Sequence, residues 1–258
     1  HMSLEGTDLD KLALSTEKLL AGTDSKITTV GYYCNPIQYA EHRKTLENVI
    51  CTAGKFGATH VSTFAGAWEG KPVESAYEEF GKVFRELADL AEEKGVKLGI
   101  ENCLMDGTWE HATCNIGFNP KAWEVMFEEV KNDNFGLEWE PTHQMVQLID
   151  PVTELRKWCK KIVHIHGKDA TIDWDAVRHS GISGAVPFVW HRMPGFGDTN
   201  WRDIISILRS NGYEDDICIE GYHDPVYSGE LEMTGQLHAL NYLKWCRGGE
   251  FTPTPWAK

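Results

Sequence analysis

The sequence predicts an α/β protein of the (β/α) barrel kind, and three observations carry that expectation. Short, almost wholly apolar runs alternate with longer segments whose apolar residues recur every three or four positions, as in a parallel sheet covered by helices. Four of the apolar runs end in a side chain able to bind a metal: KLGIENC at Glu101, FGLEWEPTH at Glu140, KIVHIHGKD at His166 and DICIEGYHD at Glu220. The chain has 258 residues, long for an ordinary domain and normal for one barrel. A chain of that size buries roughly three quarters of its unfolded surface, so it has a large core without disulfides.

Residues 4–20 hold an amphipathic pattern with Leu12, Leu19 and Leu20 as anchors, and KITTVGYYC (26–34) reads as a strand stopped by the turn residues Asn35 and Pro36. A helix is expected over 39–56, with Leu46, Val49, Ile50 and Phe56 on one side. The strand THVSTFAG (59–66) follows, its Ala65 and Gly66 permitting close approach. Over 74–93, Tyr77, Phe80, Phe84, Leu87 and Ala91 recur at helical spacing until Gly95 supplies a stop, and KLGIEN is the strand that helix feeds. Residues 104–117 are irregular, polar and aromatic, which suits a loop over a site. Asn119-Pro120 and Asp150-Pro151 each pair an N-capping side chain with proline at the first helical position. A second long connection spans 170–199. It leads to the helix WRDIISILRSNG, the strand DICIEGY, a last helix over 230–247 and a non-helical tail, FTPTPWAK.

No boundary divides this pattern, so one domain over 1–258 is expected. It contains six strands where a closed (β/α)8 barrel needs eight, and residues 1–25 are too short and polar to supply the others. An open six-stranded sheet would leave two unpaired edges. The expectation is therefore a TIM-type (β/α)8 barrel that lacks its first one or two strands, incomplete at the N-terminus.

With 25 basic against 39 acidic residues the net charge is −14, which repels a phosphate backbone and argues against a nucleic-acid partner. Seven scattered cysteines without a Cys-x-x-Cys pair fit reduced thiols. No run approaches the ~20 apolar residues of a membrane span and no leader opens the chain, so a cytoplasmic location and no membrane partner are expected.

The chemistry lies at the strand ends. In a parallel α/β barrel these converge under the βα loops, and Glu101, Glu140, His166 and Glu220 would then form a site for one divalent ion. Oxygen ligands with a single nitrogen suit manganese first, with magnesium, cobalt or zinc as alternatives. His164 shares a strand face with His166 but lies deeper, as a hydrogen-bonded core histidine would. Asp169 either orients a ligand or caps the next turn. His143 falls in the turn above Glu140, and Arg192 brings a fixed charge to clamp a substrate oxygen or pair with an acid. Among tryptophans 68, 109, 139 and 190 near the loops, Trp68 is the one expected to bound a polyol.

The motifs IEN, GLEWEPTH, HIHGKD, RMPGFGDTNW and IEGYHD, in that order, resemble the sugar phosphate isomerase/epimerase group of the xylose-isomerase-like barrels, the apurinic endonuclease 2 type superfamily. The resemblance covers residues 26 to about 247 and is specific for superfamily rather than substrate. It implies that Glu101, Glu140, His166 and Glu220 are metal ligands and that Glu101 and Glu220 also exchange the substrate proton. It assigns His143 and Arg192 to substrate, and Asn102, Trp68 and Lys168 complete that expected set. Two departures stand out. The family's aspartate is a glutamate at position 140, with Glu138 as a competing acid, and the family's N-terminal strands are absent.

The implied activity is that of a metal-dependent isomerase or epimerase of a sugar or keto-polyol, working by proton abstraction beside a carbonyl held by the metal. An alternative keeps the metal and cleaves 3-keto glycosides or C-glycosides, as a lyase with a small partner subunit. Another is a non-catalytic sugar-binding barrel, and a homo-oligomer is compatible with each. A nuclease would need extra histidines for a metal cluster and a surface tolerant of DNA. No basic cluster advertises a phosphate, which favours an unphosphorylated substrate.

Overall fold

A computed structural model of the chain describes residues 4, 6–221, 223–250 and 252–254. They gather into two compact units, His1–Trp139 with Lys161–Ile165, and Glu140–Lys160 with His166–Lys258. The non-helical tail expected over 251–258 lies mostly outside the described residues. Among those described, no helix is long and apolar enough to cross a membrane, and all seven cysteines are free thiols.

In the first unit, helix α1 (Leu9–Leu20) precedes strand β1 (Thr29–Gly31), α2 (Ala40–Thr52), β2 (His60–Thr63), α3 (Tyr77–Glu93), β3 (Lys97–Glu101), α4 (Pro120–Glu129) and β4 (Phe135–Trp139). The ladder is parallel throughout, with Thr29 opposite His60, Val61 opposite Leu98 and Glu101 opposite Glu138. Strand β5 (Ile162–Gly167) continues it beside β4. In α2 and α3 the faces expected from periodicity are the faces buried, but α1 departs from expectation: it buries Leu9 and Ala13, while the expected anchor Leu19 is 80% exposed and Leu12 and Leu20 are only half-buried. Leu46 and Ile50 of α2, Phe80, Phe84 and Leu87 of α3, and Trp123 and Met126 of α4 are almost wholly shielded with Leu98, Ile100 and Leu137 of the strands. The Phe80 and Phe84 rings stack at 4.6 Å and both lean on Phe135. Each such side chain contributes about 1.5–3 kcal/mol of burial.

The β4–β5 ladder carries one irregularity that matters for the site. Leu137 faces Ile162, yet the next residue, Glu138, faces His164, so Val163 is an extra residue on β5. Two glycines accommodate it. A Cβ on Gly136 would meet Val163 Cγ1 at 2.5 Å and the Lys161 carbonyl at 2.4 Å, and one on Gly99 would meet Val163 Cγ2 at 3.1 Å. The bulge sets His164 opposite Glu138.

The second unit contains α5 (Pro141–Met145), α6 (Pro151–Trp158), β6 (Asp169–Ile172), α7 (Trp174–Ser180), β7 (Val189–Arg192), α8 (Trp201–Ser210), β8 (Ile217–Ile219) and α9 (Glu232–Cys246). Just past β8, the Glu220 N–H donates to Gly167 O at the end of β5 (3.1 Å). Helix α8 buries Trp201, Ile204, Ile205, Ile207 and Leu208 as its periodicity predicts. The connection expected over 170–199 is more ordered than a loop. Strands β6 and β7 pair antiparallel, from Asp169 opposite Arg192 to Ile172 opposite Val189, with α7 between them. Four-residue strands inside a polar stretch leave too short a period to read, and the pairing is what orders them.

Candidate functional site

The second unit brings three of the expected ligands together. Glu140 follows β4 directly and is the N-cap residue of α5, where Pro141 occupies the first helical position. Its carboxylate is fully buried. His166 comes from the end of β5, with Nδ1 3.6 Å from Glu140 Oε2 and 3.3 Å from Glu220 Oε2. These three side chains offer ligand atoms within 4.8 Å of one another. Lys168, 2% exposed, extends the same cluster, its Nζ donating to Glu220 Oε1 at 3.1 Å and lying 3.9 Å from Glu140 Oε1. His143, one turn into α5, places Nε2 3.3 Å from Glu140 Oε1.

The charges of this cluster are strongly perturbed. Burial pushes the Glu140 carboxyl up to about 8, against the opposing pull of Lys168 and His166. Burial also resists ionisation of Glu220, but hydrogen bonding to His166 and Glu140 and the Lys168 charge outweigh it and hold Glu220 below the usual carboxylate range. Burial, reinforced by the Lys168 ammonium, drives His143 far below its ordinary value and His191 down to about 4. The cluster thus sets an ionised Glu220 beside a Glu140 carboxyl that burial makes easier to protonate, next to the Lys168 amine and the poorly basic imidazoles of His143 and His191. A buried pair of acids is costly until a cation joins it, and two oxygen donors with one imidazole nitrogen form a donor set that manganese, magnesium or zinc accepts. The residues present therefore fit a divalent ion, and the extra methylene of Glu140 does not keep its carboxylate from the group.

Arg192 ends β7 and its Nε donates to Asp224 Oδ2 at 3.2 Å, while its guanidinium lies 5.8 Å from the centre of the Phe196 ring. Asp224 is 2% exposed and also accepts from the backbone N–H groups of Met193, Val226 and Tyr227, each at 2.8 Å. Asp169 is fully buried and accepts from the backbone of Ala170, Gly195 and Thr199. It ties the turn after β7 back to the start of β6.

The first unit holds the remaining expected residues. Glu101 ends β3, 7% exposed, and Asn102 beside it is fully buried. Trp68 follows β2 in a half-buried position. Glu138, the competing acid, has partners within the first unit. The Tyr33 hydroxyl donates to its Oε2 at 2.9 Å, and His164 Nε2 lies 3.9 Å from its Oε1. His164 is 2% exposed, its Nδ1 3.4 Å from the Thr29 hydroxyl, in keeping with a core histidine.

Asn115, Asp224 and His191 also shape these groups, and none of them stands out in the sequence, although Asp224 closes the motif IEGYHD. Asn115 Nδ2 donates to the carbonyls of Glu101 (2.9 Å) and Cys103 (2.8 Å), and its Oδ1 accepts from Ala65 and Gly117. That single buried amide fixes the exit of β3. The one available signal was its place inside the long 104–117 connection.

Residues 6–244 match the profile of the family described as xylose isomerase-like TIM barrel. An inosose dehydratase of Clostridium tetani is 26% identical over 182 residues, which cover 69% of this chain and 57% of that protein. The chain thus spans less than two thirds of that relative's length. Among solved structures, the 3-keto-D-glucoside 4-epimerase YcjR of E. coli superposes with a TM-score of 0.69 at 14% identity, covering 94% of this chain and 88% of that one. The IolI protein with a bound zinc atom superposes with a TM-score of 0.64 at 21% identity, covering 94% and 81%.

Proposed function

The chain belongs to the xylose isomerase-like TIM barrel family, and from that premise we propose that it is a divalent-metal-dependent isomerase or epimerase of a keto-polyol. The observation that carries the reading is the convergence of buried Glu140 and half-buried His166 and Glu220 around buried Lys168. Glu101, assigned by its motif at the end of β3, is the fourth ligand of this reading. Manganese is the metal expected first, and the zinc bound by IolI makes zinc the next candidate. Bound there, the ion would supply a positive charge that stabilises negative charge developing on a substrate oxygen.

The chain's own residues do the rest. Glu220, kept ionised beside His166 and Lys168, removes or returns the proton on the carbon next to the carbonyl, and Glu101 handles it on the other face. The Lys168 ammonium holds the Glu220 carboxylate in one orientation. His143, neutral, offers a hydrogen bond to a substrate hydroxyl, and Arg192, Asn102 and Trp68 bound the rest of the molecule. Glu101→Gln and Glu220→Gln proteins should fail to wash solvent deuterium into a keto-polyol. Full exchange by both would sink the reading.

A second reading has a specific observation behind it, since the Clostridium tetani relative is named a dehydratase. The same proton abstraction leads to loss of water when a hydroxyl sits on the next carbon. The electron pair left by the C–H bond forms the new double bond, and the leaving hydroxide takes a proton from an acid such as Lys168. Mass spectrometry of an incubated keto-inositol separates the two, since only dehydration yields a product lighter by one water.

A further inference from the structure

We propose that His191 and His223 form a metal-independent contact for the polyol, taking a hydroxyl remote from the carbons that Glu140, His166 and Glu220 serve. The inference rests on the keto-polyol reading and adds the part of the substrate that reading leaves open. Three imidazoles of the second unit stand in a row. The His143 and His191 ring centres are 6.4 Å apart at 69°, and those of His191 and His223 are 5.6 Å apart at 78°.

Two further features mark the row. His191 Nδ1 is shielded from solvent and has no hydrogen-bond partner among the described residues, a condition that disfavours the folded state until a partner arrives. His223 adopts a left-handed backbone with φ of 76°, unusual for a residue other than glycine. It is exposed, and the next residue, Asp224, fixes its turn through Val226, Tyr227 and Met193. A strained conformation imposed by a buried neighbour presents the imidazole beside His191.

The chemistry of the row selects the ligand. Burial and the Lys168 charge hold His191 down to about 4 and lower His223 from its ordinary value, and an unprotonated imidazole has one donor and one acceptor nitrogen. That matches a hydroxyl, which also donates and accepts. A phosphate or carboxylate needs cationic partners instead. The row therefore fits an unphosphorylated polyol.

The test is calorimetric titration of the manganese-loaded full chain with inosose and with inososes lacking one ring hydroxyl. Wild-type protein should bind one deoxy compound about tenfold more weakly than inosose, the scale of one neutral hydrogen bond. His191→Phe, which keeps a ring against His143, and His223→Gly, which accepts the left-handed backbone, should each bind inosose about tenfold more weakly and no longer distinguish that deoxy compound. His191→Gln should retain most of the affinity, and manganese affinity should be unchanged in all three. Variants that bind inosose like wild type, variants that still reject the deoxy compound, or a wild-type protein that binds none of these polyols would each overturn the inference. Inosose binding that is indifferent to manganese counts against the metal-dependent reading alone. The imidazole contact is then judged on the same variant comparison.

Discussion

Lys168 shows how one side chain sets the character of the site. Its ammonium lies 3.1 Å from Glu220 and 3.9 Å from Glu140, so it neutralises part of a charge that a divalent ion would also meet. Lys168→Met is expected to lower the thermal midpoint of the metal-free protein, because the Glu220 carboxylate loses its cation. It should bind manganese at least as tightly as wild type, since one competing positive charge is gone, and lose turnover about a hundredfold for want of proton control. Thermal melts and metal titrations check both signs. Asp224 makes a second residue-scale case. Burial opposes its ionisation, but the backbone donors of Tyr227, Met193 and Val226 and the Arg192 guanidinium prevail and hold its carboxyl below the usual range. A depressed folded pKa gives stability that is present above the unfolded value and lost as pH falls through the folded one. Asp224→Asn should accordingly cost about 1–3 kcal/mol at pH 7 and much less near pH 3, measured by denaturant unfolding at the two pH values.

At the scale of elements, the β4–β5 bulge and the end of β4 give neighbouring acids different surroundings. Glu138 and Glu140 are two apart and equally acidic on paper, yet the shift at Val163 puts Glu138 opposite His164. There it receives the Tyr33 hydroxyl, while Glu140 lies past the strand at the start of α5. The strand ends and the helix faces were legible because their periods run for several turns or residues. The bulge was not, because it depends on a contact between Gly136 and Val163, residues 27 apart in a chain where neither glycine nor valine is distinctive. The β6–β7 ribbon escaped for the same reason, as did Asp224, whose partners Arg192 and Met193 lie more than 30 residues away. Gly136→Ala should therefore destabilise the protein by about 1–3 kcal/mol, the usual penalty of overpacking. If denaturant unfolding gives the wild-type midpoint, the close approach at Val163 is not what shapes β5.

For the whole molecule, the family and the order of its strand-end motifs could be read from the sequence, since Glu101, Glu140, His166 and Glu220 each close an apolar run. What remained hidden was the company these residues keep, namely Lys168 between two carboxylates and the imidazole row of His143, His191 and His223. Metal binding should also stabilise the fold, by about 2.7 kcal/mol at a free metal concentration of a hundred times Kd. Metal analysis of dialysed protein by mass spectrometry tests the central claim most directly. The account predicts about one divalent ion per wild-type chain, with less than a tenth of that in Glu140→Ala and in His166→Ala. Wild-type protein that takes up no divalent ion, or both variants at full occupancy, would contradict it.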